Sequence, residues 1–184
     1  FGGSQGARSV NQAVLDALDY LEAYRDRLHF IHQTGKNDLT ATQRQYNKKG
    51  FSAEVQPFFF HMAEQYRRAS LVICRAGATT LAEVTASGKA SILVPFPHAT
   101  ADHQVKNAEV LRAENAAEII YEQDLKGEQL AGFIENGLKH PEYLKVMSGN
   151  SFRLGDRQAT QKVADLCMEL VEEGRSEVIT PGVS

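Results

Sequence analysis

Apolar residues in this chain come in short, evenly spaced runs. Leu71-Val72-Ile73-Cys74 and Ser91-Ile92-Leu93-Val94 are apolar without alternation, the pattern of strands covered on both faces. With the runs at 28–33, 53–60 and 116–121, and taking these two as 70–75 and 90–96, the pattern predicts five strands. The intervening stretches at 7–24, 39–49, 62–69, 80–87 and 101–114 predict helices. Strands that alternate with helices imply a parallel sheet in an α/β layer fold. The last third reads as helix only, with Ala159, Val163, Leu166, Cys167, Leu170 and Val171 on one helical face. Residues 174–184 have no period and read as a tail. The expected architecture is one doubly wound, Rossmann-like α/β domain over 1–173 with added C-terminal helices.

Composition narrows the class. At 184 residues the chain is long enough for one domain with a sizeable core. Apolar residues at 42% and charged residues at 23% exclude wholesale disorder and fibrous classes. Twenty basic against 23 acidic residues give a net charge of −3, which speaks against a general nucleic-acid binder. No apolar run approaches the ~18 residues of a membrane span, and none has the layout of a signal peptide. Cys74 and Cys167 both sit among apolar neighbours, which predicts two reduced core thiols. Phe1-Gly2-Gly3 looks like the end of a buried strand entering a glycine turn, so the chain is expected to be a piece of a longer protein.

Three loops carry candidate chemistry. In Gly2-Gly3-Ser4-Gln5-Gly6-Ala7 the glycines let the backbone turn sharply and approach a ligand, and Ser4 can cap the helix that follows. A helix start with free N–H groups is an anion site, most often for phosphate. The spacing is that of neither a P-loop nor the Gly-x-Gly-x-x-Gly dinucleotide fingerprint, and a plain strand-to-helix turn explains it equally well. The second loop, Arg75-Ala76-Gly77-Ala78-Thr79-Thr80, again follows a buried strand and opens a helix that carries Glu83. Two such helix starts suit a diphosphate, and α/β folds bind ligands at this end of their strands. Glu83 is either a capping-box partner of Thr80, three residues before it, or a carboxylate for both hydroxyls of a ribose. The third segment runs from Pro95 through His98, Thr100, Asp102, His103 and Gln104 to Asn107. It is rich enough in hydrogen-bonding side chains to read a sugar, yet it also reads as a polar loop and helix start. No metal-ligand spacing is present. His32-Gln33-Thr34-Gly35-Lys36 ends a strand and reaches toward the same rim, with His29 and His32 placed to line that strand. Phe58-Phe59-Phe60 reads as strand-end packing.

Taken in order, Gly2 to Arg8, His32 to Lys36, Arg75 to Glu83 and Pro95 to Asn107 resemble the C-terminal half of the MurG family. The resemblance runs from Phe1 to about Tyr121. It implies the donor half of a two-domain GT-B-type glycosyltransferase whose N-terminal acceptor domain is not in this chain. The family transfers N-acetylglucosamine from UDP-N-acetylglucosamine to undecaprenyl-diphosphate-linked N-acetylmuramoyl pentapeptide, in peptidoglycan synthesis at the cytoplasmic face of the bacterial inner membrane. By resemblance, Gly3, Ser4 and the backbone of Ala78, Thr79 and Thr80 hold the diphosphate, and Glu83 holds the ribose. The backbone near Phe59 reads the uracil, while His103 and Gln104 contact the sugar. Some members carry two glutamines where this chain has His103-Gln104. The resemblance implies inversion at the anomeric carbon with neither metal nor cofactor. It assigns the catalytic base, the lipid-linked acceptor and the membrane contact to the missing half. The alternatives are a separate donor subunit of a two-subunit lipid-linked transferase, a UDP-sugar epimerase and a non-catalytic UDP-binding module.

Overall fold

The computed structural model describes residues 1–3, 5–97, 99 and 102–178, except for the side chains of 160 and 173–178. Ser4, His98, Thr100, Ala101 and 179–184 therefore lie outside the described residues. The elements follow in the order α1 (Arg8–Tyr20), β1 (His29–Gln33), α2 (Leu39–Lys49), β2 (Ser52–Gln56), α3 (Met62–Arg68), β3 (Leu71–Cys74) and α4 (Ala78–Ala86). They continue with β4 (Ala90–Leu93), α5 (His103–Ala113), β5 (Ala117–Ile119), α6 (Gly127–Lys139), α7 (Pro141–Leu154) and α8 (Ala159–Val178).

Every strand pair is parallel, and the strands form two ladders. In the first, β1 pairs β2 from His29 opposite Ser52 to Gln33 opposite Gln56. In the second, β4 lies between β3 and β5. All four residues of β4 are buried, as expected of a strand with neighbours on both edges and helices on both faces. The apolar residues of β1 and β3 are less completely covered: Phe30, Ile31, Leu71 and Ile73 are only half-buried. They border an apolar cavity of about 440 Å³ between the two ladders, which Leu138 and Leu144 help to close. At the end of this slot the Phe1 ammonium donates to the Ile73 carbonyl at 2.7 Å. Helices hold the ladders together. Val14, Leu18 and Leu21 of the α1 region, Leu130 and Ile134 of α6, Val55 of β2 and Ile92 of β4 share one buried cluster.

Local chemistry sets the element ends and corrects several expectations. α2 stops where Gly50 takes a left-handed conformation at φ 70°, with Lys48 and Lys49 in the last turn. α1 ends at Tyr20 and the chain tightens into a 3-10 turn over Glu22–Arg27, short of the predicted single helix to residue 24. β2 ends at Gln56 rather than at residue 60, because Pro57 has no N–H for the ladder. Phe58 and Phe60 are 41% and 86% exposed, so only Phe59 packs inward. The helix predicted from Thr80 begins at Ala78. Near the C-terminus the backbone stays helical to Val178, past the point at Gly174 where the periodic pattern ends. The predicted apolar stripe of α8 exists but is uncovered: Val163, Leu166, Leu170 and Val171 are each at least half-exposed. Cys167, expected in the core, is exposed on that helix, while Cys74 is buried as predicted.

Candidate functional site

Parallel strands place their C-terminal ends on one side of a sheet, and the connecting loops gather there. The Gly2–Ala7 loop, the ends of β1 and β2, and the openings of α4 and α5 make up this rim. Gly3 and Gly6 both have positive φ, 81° and 78°, a region open to glycine at no steric cost. At Gly6 a side chain would also collide with the Thr34 carbonyl, so the glycine loop lies directly against the end of β1. At Gly3 nothing lies within 4 Å of where a side chain would start, and the backbone there is open to approach. The N-cap of α1 is Ala7, which gives no side-chain cap; Ser4, expected to cap this helix, lies outside the described residues.

Four side chains stitch the rim together. Gln33, at the end of β1 and 4% exposed, donates from Nε2 to the Gly3 carbonyl at 3.0 Å. Its Oε1 accepts the Phe59 N–H at 2.9 Å. Gln33 thereby fixes Phe59 and takes up its N–H, so base reading by the backbone near Phe59, as the resemblance implies, falls to other groups there. Tyr66 of α3 donates its hydroxyl to Glu83 Oε2 at 2.9 Å and meets the Phe1 ring edge-on at 6.2 Å. Burial first, and the Glu83 carboxylate second, push the Tyr66 hydroxyl above its ordinary pKa, so it remains a donor. Arg75 donates to the Ser9 hydroxyl of α1 at 2.9 Å, to the Val94 and Pro95 carbonyls at 3.2 and 3.3 Å, and to Glu122. Its guanidinium lies 5.4 Å from the centre of the Phe96 ring. Gln104 Oε1 accepts the N–H of Ala76 at 3.2 Å and of Phe96 at 3.0 Å, joining the loops that open α4 and α5.

The helix boundary of α4 decides between the two roles for Glu83. With Gly77 as N-cap and Ala78 as the first helical residue, Thr80 lies inside the helix. The capping box is absent, and Glu83 is an exposed carboxylate held on one oxygen by Tyr66. The first intrahelical acceptor, the Gly77 carbonyl, takes the Leu81 N–H. The N–H groups of Ala78, Thr79 and Thr80 precede it and have no acceptor among the described residues. Ala78 and Thr79 are exposed, and Thr80 is half-buried. His103 opens α5 at the surface, beside the half-buried Gln104.

His32 has a different task. Its Nε2 lies 3.0 Å from Asn11 Oδ1 and its Nδ1 lies 3.1 Å from the Tyr46 hydroxyl, an arrangement satisfied by a neutral ring. Burial, helped by the nearby Phe1 ammonium, lowers its pKa to about 3. Asn11 in turn donates to the Thr34 carbonyl and to Asp38 at 2.9 and 2.8 Å. His32 thus supports the loop after β1 and does not face a ligand. Cys74 is likewise inert, its thiol pushed up to about 12 by burial. Among the described residues no three His, Cys, Asp or Glu side chains converge as metal ligands, and no helix is long and apolar enough to cross a membrane.

Gly3, Phe59, Ala78, Thr79, Thr80, Glu83, His103 and Gln104 thus all lie on this rim; Ser4 is outside the described residues. Of the supporting side chains, Tyr66 carries no local signal that would mark it as a partner of these positions. An arginine directly after a buried apolar strand was the one available clue.

Comparison with known proteins gives a consistent family. Residues 1–166 match the model of the glycosyltransferase family 28 C-terminal domain. Over 93% of its length the chain is 52% identical to the UDP-N-acetylglucosamine--N-acetylmuramyl-(pentapeptide) pyrophosphoryl-undecaprenol N-acetylglucosamine transferase of Myxococcus xanthus (strain DK1622), and covers 45% of that protein. The enzyme of the same name from Syntrophus aciditrophicus (strain SB) is 47% identical, with 47% of its length covered. The crystal structure of Acinetobacter baumannii MurG superposes with a TM-score of 0.81 at 34% identity, over 92% of this chain and 48% of that one. The chain therefore spans about half the length of the relatives it matches.

Proposed function

Because the chain belongs to the glycosyltransferase family 28 C-terminal domain family, we propose that it is the UDP-N-acetylglucosamine-binding half of an inverting transferase. The whole enzyme passes N-acetylglucosamine to the undecaprenyl-diphosphate-linked N-acetylmuramoyl pentapeptide. The observation that carries this reading is Glu83, turned to the rim on a helix whose first N–H groups are open. A carboxylate and a diphosphate-sized anion site on one helix match the ribose and diphosphate of a nucleotide sugar.

In this reading the donor lies across the C-terminal ends of the strands. The base rests near Phe59, and the ribose hydroxyls donate to Glu83, whose second oxygen stays with Tyr66. The diphosphate faces the N–H groups of Ala78, Thr79 and Thr80, and the open backbone at Gly3 approaches it from the α1 side. The sugar reaches the start of α5, where His103 and Gln104 stand. An acceptor hydroxyl displaces UDP in line from the anomeric carbon. The C–O bond to the diphosphate breaks as the new glycosidic bond forms, and negative charge collects on the departing UDP. Preorganised N–H groups at the start of α4 lie where that charge grows. The other half of the enzyme supplies the acceptor, the base that takes its proton and the contact with the cytoplasmic face of the inner membrane.

Calorimetric titration tests the reading. The chain should bind UDP-N-acetylglucosamine and UDP, bind ADP and GDP far less well, and transfer no sugar alone. Absence of UDP binding would overturn the proposal. Binding of UDP with no gain from the sugar would favour a plain UDP-binding module.

A further inference from the structure

We propose that the first two turns of α5 aim the diphosphate-binding start of α4, with Gln104 and Asn107 as positioning residues that act through Ala76. The proposal rests on the nucleotide-sugar reading above and assigns Gln104 a task beyond sugar contact. Ala76 is fully buried and directly precedes Gly77, the N-cap of α4. Both of its backbone polar groups are held by one neighbouring helix. Its N–H donates to Gln104 Oε1 at 3.2 Å, and its carbonyl accepts from Asn107 Nδ2 at 3.3 Å. Residues three apart lie on one face of a helix, so the two amides grip a single residue from one side. With no side chain beyond a methyl group, Ala76 cannot anchor itself. The direction in which the Ala78, Thr79 and Thr80 N–H groups point is then set by this grip.

Gln104 is the node. Its Oε1 takes a second donor, the Phe96 N–H at 3.0 Å, which uses both lone pairs of that oxygen. Only the Nε2 donors remain for a ligand, and among the described residues they have no acceptor. One side chain thus holds the loop before α4 and the Phe96 backbone on its oxygen and keeps its nitrogen for a ligand. A residue that only contacted sugar would leave the affinity for UDP untouched when truncated. A residue that aims the α4 start would not.

The test compares this chain with its Gln104→Leu and Asn107→Leu variants, titrated with uridine, UDP and UDP-N-acetylglucosamine. Amide hydrogen exchange at Ala76 and Phe96 is measured in parallel. Gln104→Leu should expose both amides to faster exchange and weaken UDP about tenfold, the scale of one or two lost hydrogen bonds. Uridine, which has no phosphate, should bind all three proteins alike. Asn107→Leu should weaken UDP by a smaller factor in the same direction. Unchanged UDP affinity in Gln104→Leu, with only the sugar nucleotide weakened, would overturn the proposal, as would unchanged exchange at Ala76. Equal losses for uridine and UDP would also overturn it, since they would mark a general loss of structure. If the parent binds no UDP, the nucleotide-sugar reading itself fails and takes the aiming role with it. The exchange data then still report whether the grip on Ala76 exists.

Discussion

The two ladders solve the same problem differently. Each must bring loops from neighbouring strands to a shared rim, and each uses a glutamine to do so. On the β1–β2 side Gln33 is buried and spends both ends of its amide on protein, tying Gly3 to Phe59. On the β3–β4–β5 side Gln104 is half-buried and spends only its oxygen. The buried polar groups differ in the same sense. Asn11, His32 and Gln33 on the first side all have hydrogen-bond partners. Two serines on the second side, Ser91 of β4 and Ser151 of α7, are buried with no partner among the described residues. The β1 side is built as a closed polar network that holds one shape. The β3 side is an apolar core with its polar side chains kept for the rim, where a ligand can use them.

The sharpest way to break this contrast is Gln33→Leu. It leaves the Phe59 N–H unpaired and the Gly3 carbonyl with only the Gly6 N–H, and should cost about 1–3 kcal/mol of stability. Gln104→Leu should cost roughly half as much, because water can reach part of its site. Equal losses in urea titrations would erase the distinction between the two stitches.

A pH profile probes the closed network next. The folded pKa of His32 is lowered to about 3, against an ordinary value of about 6.5 in the unfolded chain. As pH falls below 6.5 the unfolded state takes up a proton that the folded state refuses. Stability should therefore drop with falling pH, by up to about 1.4 kcal/mol per pH unit. Between about pH 6.5 and 5, before carboxylates titrate, this slope should be present in the parent and absent in His32→Asn. A slope that survives the substitution would remove His32 as its source.

On the open side, Glu83→Ala should weaken UDP by about tenfold, on the order of 1.4 kcal/mol, with the melting temperature nearly unchanged because Glu83 is exposed. Tyr66→Phe should weaken it by a few-fold, since the carboxylate loses only its support. A Glu83→Ala variant that keeps its affinity would take that residue out of the site. The smallest effect belongs to Ser91→Ala, which removes a buried hydroxyl without a partner. It should leave stability unchanged or raise it by about 0.5–1 kcal/mol, and a clear loss in thermal melts would show that the serine has a hydrogen bond after all.

How much of this was legible in the sequence follows from the range of the interactions concerned. α2 could be bounded to the residue because its stop signal, Gly50 after two lysines, is local. The α4 start was missed by two residues because Ala78 and Thr79 are small and add nothing to a helical period. That small slip mattered, since it alone kept the capping-box reading of Glu83 alive. The three aromatics at 58–60 suggested a strand that Pro57 had already ended. The rim positions could be proposed from glycine loops and the family likeness. Their supports could not, because Tyr66 and Glu83, or Gln104 and Ala76, are joined across 17 and 28 residues. Such partners depend on which loops the fold makes adjacent. For the same reason Gln104 looked like a sugar contact alone, and its use as a loop clamp became visible only in three dimensions.

The slot between β1 and β3 bears on how cooperatively the molecule comes apart. Among the described residues no ladder hydrogen bond crosses from one ladder to the other, so the two are joined by side-chain bonds such as Arg68–Glu54 and by a shared apolar cluster on α1 and α6. All-or-none unfolding requires that loss of one part withdraw the support of the rest. Here the common support is one cluster in which Ile92, Leu71 and Ile73 of the second ladder meet Val55 and Phe30 of the first on α1 and α6, and loosening either helix uncovers both. Shared burial in that cluster thus couples the two ladders, so that each is expected to melt with the other. A calorimetric enthalpy equal to the van't Hoff value would be the signature of that coupling.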